Sequence, residues 1–142
     1  MARSEATIEI GRPAAEVFPW LLEPEKRLQW VSGLVSSEPL GADRYREVVE
    51  EHGFRLEGTS TVVRNEPPLA LDVDMAGRGF TARAESRLEE RDGVTRLTSS
   101  LDVHLSGIAR FAGAAVSRGT KRSLEASLAR LQTLLADTQG PH

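Results

Sequence analysis

The chain has 142 residues, no cysteine, 5% aromatic residues and a formal net charge of -3 at pH 7. The absence of cysteine excludes disulfide scaffolds, thiolate metal sites and cysteine nucleophiles. The acidic balance and the few aromatic side chains argue against nucleic-acid binding, which relies on phosphate contacts and base stacking. The length suits one domain, which we expect to span residues 1–142 with its core at about 5–137.

The apolar runs of the sequence are too short to span a membrane. The longest are residues 17–22 and 111–116, far below the roughly 20 residues that a membrane helix needs. Residues 1–5 are polar and are followed at once by strand-like residues, without an apolar signal region. These features predict a cytoplasmic protein without an integral membrane segment.

The first part of the chain predicts a strand followed by two short helices. Residues 7–10 alternate as a strand, and Pro13 opens a helical stretch that runs to residue 22. Pro19 lies inside that stretch and is expected to kink or end the helix, because proline removes a backbone donor. Pro24 then restarts a second short helix that ends near residue 30.

From Val31 onward the pattern has period two and is divided by turn signals into six further strands. Asp92-Gly93 is the strongest hairpin signal among them, since both residues tolerate positive φ. Short connections between consecutive strands predict an antiparallel meander. The expected inward positions of three strands are Leu69, Leu71, Val73 and Met75, then Phe80, Ala82, Ala84, Ser86 and Leu88, then Leu97, Ser99, Leu101, Val103 and Leu105.

Residues 107 to about 136 predict one long C-terminal helix. At 100° per residue, one face of its second half carries Leu124, Leu128, Leu131 and Leu135. The same face in the first half carries the small residues Ala109, Gly113, Ser117 and Thr120. The helix is therefore expected to pack tightly on the sheet at its C-terminal half and loosely at its N-terminal half.

The order of the predicted elements resembles that of the SRPBCC superfamily. Three local sequence motifs share this resemblance: Pro13-Ala14-Ala15-Glu16-Val17-Phe18, then Glu23-Pro24-Glu25, then Trp30. That group includes START lipid-transfer domains, Bet v 1-like proteins and the polyketide cyclase/dehydrase family. Phe18 and Glu23 stand where its members more often have Trp and Asp. The resemblance implies an α+β helix-grip fold, in which a seven-stranded curved antiparallel sheet and two short helices surround a long C-terminal helix. It carries over no catalytic residue.

Small residues on the inner faces of both sheet and helix predict an apolar cavity, because protein interiors are otherwise close-packed. The alternative is that helix and sheet approach closely and leave no void. The predicted lining comprises Trp30, Leu34, Tyr45, Phe54, Ser60, Phe80, Ala82, Ala84, Ser99, Leu101, Gly113, Ser117 and Thr120.

The strand over residues 44–51 allows two registers, one with Tyr45, Glu47 and Val49 inward and one with Arg46 and Val48 inward, so either can bring a charged residue near the cavity. In the first register, Glu47 beside Tyr45 would be the only candidate acid/base pair at the cavity. The interpretation that we favour is an edge strand whose long side chains extend to solvent.

Other catalytic or metal-binding groups are scarce. The three histidines, His52, His104 and His142, are scattered and predict neither a metal site nor a catalytic triad. We expect no cofactor.

The residues favour a non-catalytic binder or carrier of a small hydrophobic ligand, such as a lipid, polyketide or aromatic metabolite. One alternative is an enzyme that resembles polyketide cyclases or dehydratases and uses Tyr45 and Glu47. Another is a module that binds partner proteins, for which Ile108 and Phe111 offer only a small apolar pair that we interpret as the cavity mouth. Both a monomer and a homodimer agree with the sequence.

Overall fold

The computed structural model describes residues 2–51, 53–106 and 113–137. Within them the chain forms seven strands and three helices in the predicted order, and none of these helices has both the length and the apolarity of a membrane span. The elements are β1 (Ala2–Ile10), α1 (Ala14–Leu22), α2 (Pro24–Trp30), β2 (Leu34–Gly41), β3 (Arg44–Glu51), β4 (Phe54–Glu66), β5 (Ala70–Gly77), β6 (Phe80–Arg91), β7 (Val94–Leu105) and α3 (Gly113–Asp137).

The strands form one antiparallel sheet in the order β1-β7-β6-β5-β4-β3-β2. Strands β2 to β7 make the predicted meander, and β1 closes beside β7, so that β1 and β2 are the two edges. The hairpin between β6 and β7 turns at Asp92 and Gly93, whose φ angles are 54° and 79°, as that dipeptide predicts. The α+β helix-grip architecture is confirmed.

Strand β1 is longer than predicted, and of the two outcomes expected at Pro19, a kink or an end of the helix, the end does not occur. Strand β1 begins at Ala2, because it pairs with β7 over its whole length, from Ala2 opposite Val103 to Ile10 opposite Thr95. Pro19 does not end α1, which continues to residue 22 and closes with a hydrogen bond of 2.9 Å from the Glu23 N–H to the Pro19 carbonyl. Proline removes only one donor, and the helix is retained because its apolar face is buried.

The predicted leucine stripe of α3 forms the centre of the hydrophobic core. Leu128, Leu131 and Leu135 are at most 2% exposed, and Leu124 packs against them partly buried. Helix α1 covers the same core from the other side with its buried residues Val17, Phe18 and Leu21. Of the predicted helix, residues 107–112 lie outside the described part of the chain, and Ile108 and Phe111 lie there with them.

Hydrogen bonds hold α3 against two separate parts of the sheet. At its C-terminal end, Gln132 donates to the Glu9 carbonyl of the edge strand β1 at 2.7 Å. Closer to its middle, Ser127 accepts a bond of 2.8 Å from the Ser32 N–H, and Ser123 donates to Glu51 at the end of β3. The helix is thus bound both to β1 and to the end of β3, across the concave face of the sheet.

Candidate ligand-binding site

The register places the predicted inward residues on one continuous face. Ala84 of β6 lies opposite Val73 of β5, and Met75 of β5 lies opposite Ser60 of β4. Ser60 in turn lies opposite Tyr45 of β3. The alternation within β5, β6 and β7 is therefore as predicted, and β3 adopts the register with Tyr45 inward. The prediction is wrong for Leu69, which lies in the turn before β5 and is 59% exposed.

This inner face is closed at one end and accessible at the other. Leu71, Leu88 and Leu97 are 4%, 3% and 0% exposed and belong to the core under α3. Further along the same strands, Phe80 and Ala82 are buried, but six other inward apolar residues stay partly exposed; these are Val73, Met75, Ala84, Leu101, Val103 and Leu105. The first group is thus buried in the core with the leucines of α3, whereas the second group keeps apolar surface accessible to solvent.

The predicted lining residues divide into three groups. Leu34, Ser60, Phe80, Ala82 and Ser99 are buried, while Tyr45, Ala84, Leu101 and Thr120 are partly exposed. Trp30 joins the closed core and donates its indole N–H to the Trp20 carbonyl at 2.8 Å, so it is a packing residue. Phe54, Gly113 and Ser117 lie in β4 and α3, but their side chains are outside the described part.

Phe80 occupies the inner face where two glycines leave room for its ring. A Cβ at Gly77 would lie 2.4 Å from Phe80 Cε1, and one at Gly58 would lie 3.3 Å from Phe80 Cζ. Gly77 is therefore needed for the close approach of the ring, whereas a Cβ at Gly58 would first meet the Ala76 carbonyl oxygen at 2.7 Å. Gly58 lies directly opposite Glu47, so the Phe80 ring packs beside the strand position that faces this buried acidic residue.

Glu47 corrects the interpretation of β3 as a solvent-facing edge strand. Strand β3 is paired on both sides, and the Glu47 side chain is only 1% exposed. Arg27 of α2 donates to both carboxylate oxygens, through Nη1 to Oε2 and through Nη2 to Oε1 at 3.3 Å. Ser37 and Ser60 each donate a hydroxyl bond of 2.7 Å. Four donors thus occupy the roughly four acceptor sites of the carboxylate.

These partners keep Glu47 ionised. Burial by itself raises the pKa of Glu47, but the charge of Arg27 and the hydrogen bonds from Arg27, Ser37 and Ser60 together outweigh it. The net result is a pKa below the ordinary value of 4.5. At neutral pH the carboxylate therefore acts as a fixed acceptor for its four donors, and it has no free lone pair for proton transfer.

The lowered pKa predicts a pH-dependent stability with a defined sign. The pKa of Glu47 is lower in the folded state than in the unfolded state. The stabilisation of the fold by ionised Glu47 is therefore complete above pH 4.5 and is lost as the pH falls through the lowered folded-state pKa. We expect the stability difference between wild type and Glu47→Gln, measured by urea unfolding, to be largest at neutral pH and to shrink in acid.

Salt distinguishes this contribution from those of surface carboxylates. Glu57 also has a lowered pKa, through its hydrogen bond from Arg46 first and then the charge of Arg55, but it is exposed. At roughly 1 M salt the Debye length is about 3 Å. Under these conditions Glu57→Gln should no longer change the free energy of unfolding, whereas Glu47→Gln should still lower it. Equal salt sensitivity of the two variants would contradict the buried ion pair.

Arg27 and Ser37 are site residues that the sequence reasoning missed. Arg27 precedes the buried Trp30 by three positions in α2, so both side chains lie on one helix face. A buried carboxylate also requires a cationic partner. These two facts together would have identified Arg27, had the inward register of Glu47 been known.

Tyr45 and Glu47 do not form a hydrogen-bonded pair. The three partner residues of Glu47, which make four hydrogen bonds, do not include Tyr45, and the Tyr45 hydroxyl has no hydrogen bond to any residue in the described ranges. His104 lies exposed, 3.6 Å from Asp102. In the part of the chain that the structure covers, no group of three or more potential ligands is arranged for a metal ion.

Solved structures with the same arrangement define the class of fold. A START superfamily protein from Mycobacterium smegmatis superposes with a TM-score of 0.83 at 16% identity, covering 97% of this chain and 99% of the other. A conserved protein from Geobacillus kaustophilus reaches 0.82 at 19% identity, with 96% of both chains covered. The di-domain ARO/CYC BexL from the BE-7585A biosynthetic pathway reaches 0.78 at 16% identity, where 99% of this chain matches 48% of that one.

The family model described as "Polyketide cyclase / dehydrase and lipid transport" matches residues 1–136. The chain belongs to this family, and the resemblance noted from the sequence is confirmed. No curated protein matches the sequence.

Proposed function

We propose that this protein binds and carries a small hydrophobic molecule between its sheet and α3. The observation that carries the proposal is the change in exposure along the inner face, from Leu97 at 0% to the partly exposed Leu101 and Val103 on the same strand. Burial of a ligand against these side chains would gain roughly 25 cal/mol per Å² of apolar surface removed from water. The lipid-transport part of the family description supports this function.

Polar groups beside the apolar surface would orient the ligand. The Tyr45 hydroxyl is unpaired among the described residues and faces the same side as Ser60 and Ser99. Ser99 is close to Ser86, with 3.4 Å between the two hydroxyl oxygens. A few such groups within a mostly apolar surface are typical of small-molecule sites.

Mass spectrometry under native conditions tests this function. We expect the purified protein either to carry a hydrophobic molecule or to accept one from a panel of fatty acids, long-chain ketones and polycyclic aromatics. The adduct should disappear when the protein is acid-denatured, because the site exists only in the fold. Failure of every panel member to bind the folded protein would overturn the proposal.

Catalysis is the alternative function, supported by the cyclase/dehydrase part of the family description and by the ARO/CYC neighbour. Of the two candidate residues it would rely on Tyr45, because Glu47 is occupied by four donors. Tyr45→Phe should then abolish conversion of a poly-ketone substrate while ligand binding is retained. Unchanged conversion in that variant would exclude Tyr45 as the acid.

A further inference from the structure

Arg27 has hydrogen-bonding capacity that its ion pair does not use. A guanidinium group carries five N–H donors, and Nη1 and Nη2 each direct one of them to Glu47. The other three N–H groups have no partner in residues 2–51, 53–106 and 113–137. The Arg27 side chain is 18% exposed, against 1% for Glu47, so of the two side chains Arg27 is the more accessible one.

These spare donors lie at the polar end of the proposed site. Ser60 binds Glu47 from the neighbouring inward position of β4, so the guanidinium that contacts both carboxylate oxygens lies over this end of the inner face. From Ser60 the inward positions continue to Met75 and then along β5 to Val73, both apolar and partly exposed. An elongated ligand can therefore meet Arg27 with one end and apolar side chains with the rest.

The charge balance of the cluster restricts what that end can be. The charges of Arg27 and Glu47 cancel, so a ligand carboxylate would add a second, uncompensated negative charge close to Glu47. A ligand ammonium would find no free acceptor on Glu47, whose four donors are Arg27 twice, Ser37 and Ser60. An uncharged oxygen acceptor needs only the spare N–H groups and adds no charge.

We propose that Arg27 is the polar subsite of the ligand site and that it selects an apolar ligand with an uncharged oxygen acceptor, such as a ketone or ester carbonyl. This inference rests on the proposed function and specifies the ligand class at the same site. Glu47 acts as a positioning residue that holds the guanidinium and neutralises it.

Four naphthalenes substituted at the same ring carbon test the selection in the wild-type protein by isothermal titration calorimetry at pH 7. Acetylnaphthalene should bind at least about tenfold tighter than ethylnaphthalene, because a hydrogen bond to a charged donor adds affinity. Naphthoate and naphthylmethylammonium should bind at least about tenfold more weakly than the ketone, because burial of an uncompensated charge is unfavourable. Equal affinity of the ketone and the ethyl compound would overturn the subsite while leaving ligand carriage intact.

Glu47→Gln provides a test that a merely structural role would not satisfy. This variant leaves the positive charge of Arg27 without its counter-ion, so naphthoate should gain about tenfold or more in affinity and become the preferred ligand. The ratio of the naphthoate affinity to the ethylnaphthalene affinity should therefore rise, which a general loss of structure at the site would not cause. Glu57→Gln, which removes the partner of the exposed Arg46 on the outer face, is the matched control and should change none of the four affinities.

The remaining outcomes are also decisive. A uniform loss of affinity for all four probes in Glu47→Gln would mean that the ion pair only supports the fold, and a wild-type preference for naphthoate would mean that Arg27 is an anion site. Either result would overturn the selection of an uncharged acceptor. If none of the four binds while members of the native mass-spectrometry panel do, the subsite is wrong and carriage stands. If that panel also fails, both proposals fall.

Discussion

Replacing Arg27 with methionine should lower the free energy of unfolding at pH 7 by about 3–5 kcal/mol, the usual cost of a buried charge that loses its partner. Glu47 would retain only Ser37 and Ser60 as donors at 1% exposure, far too few to replace water around a carboxylate. The effect should be measured by urea unfolding with constant m-value.

Two further variants separate the missing charge from lost packing. In the double variant Arg27→Met with Glu47→Met, no charge remains buried, so most of the lost stability should return. Arg46→Met breaks the exposed pair with Glu57, at 60% and 45% exposure, and should cost no more than about 1 kcal/mol. Similar losses in Arg27→Met and Arg46→Met would contradict a buried ion pair.

Enlarging Ala84 to leucine should abolish binding of the hydrophobic ligand and change the free energy of unfolding by less than about 0.5 kcal/mol. Ala84 lies opposite Val73 on one side and Leu101 on the other, and all three stay partly exposed. If the space above them is the ligand site, the added carbons fill it without displacing protein atoms. Thermal unfolding and the naphthalene titrations measure the two effects.

Ala14→Leu is the matched control for this test. Ala14 is 2% exposed in the closed core, and its backbone N–H is bound by Glu90 at 2.7 Å, independently of the side chain. Extra carbons there overpack the interior and should cost about 1–3 kcal/mol. If Ala84→Leu destabilises the protein as much as Ala14→Leu does, helix and sheet are close-packed at Ala84 and the site is absent.

Much of the architecture could be predicted because it depends on local patterns. The turn at Asp92 and Gly93 follows from the backbone tolerance of those two residues, and the burial of Leu128, Leu131 and Leu135 follows from helical spacing. The length of β1 could not be predicted, because residues 2–6 become a strand through pairing with β7, far away in the sequence.

The small residues of sheet and helix predict loose packing in one half of the fold, and this stays a prediction, although Ala84 and Leu101 on the sheet side are partly exposed. By itself the sequence determined the antiparallel meander, the leucine-rich end of α3 and the inward faces of β5 to β7, since residue spacing alone sets these. Only the tertiary structure decided that Glu47 is buried and that Arg27 meets it. One strand with two possible apolar faces is compatible with either register, and pairing with both neighbours selects between them.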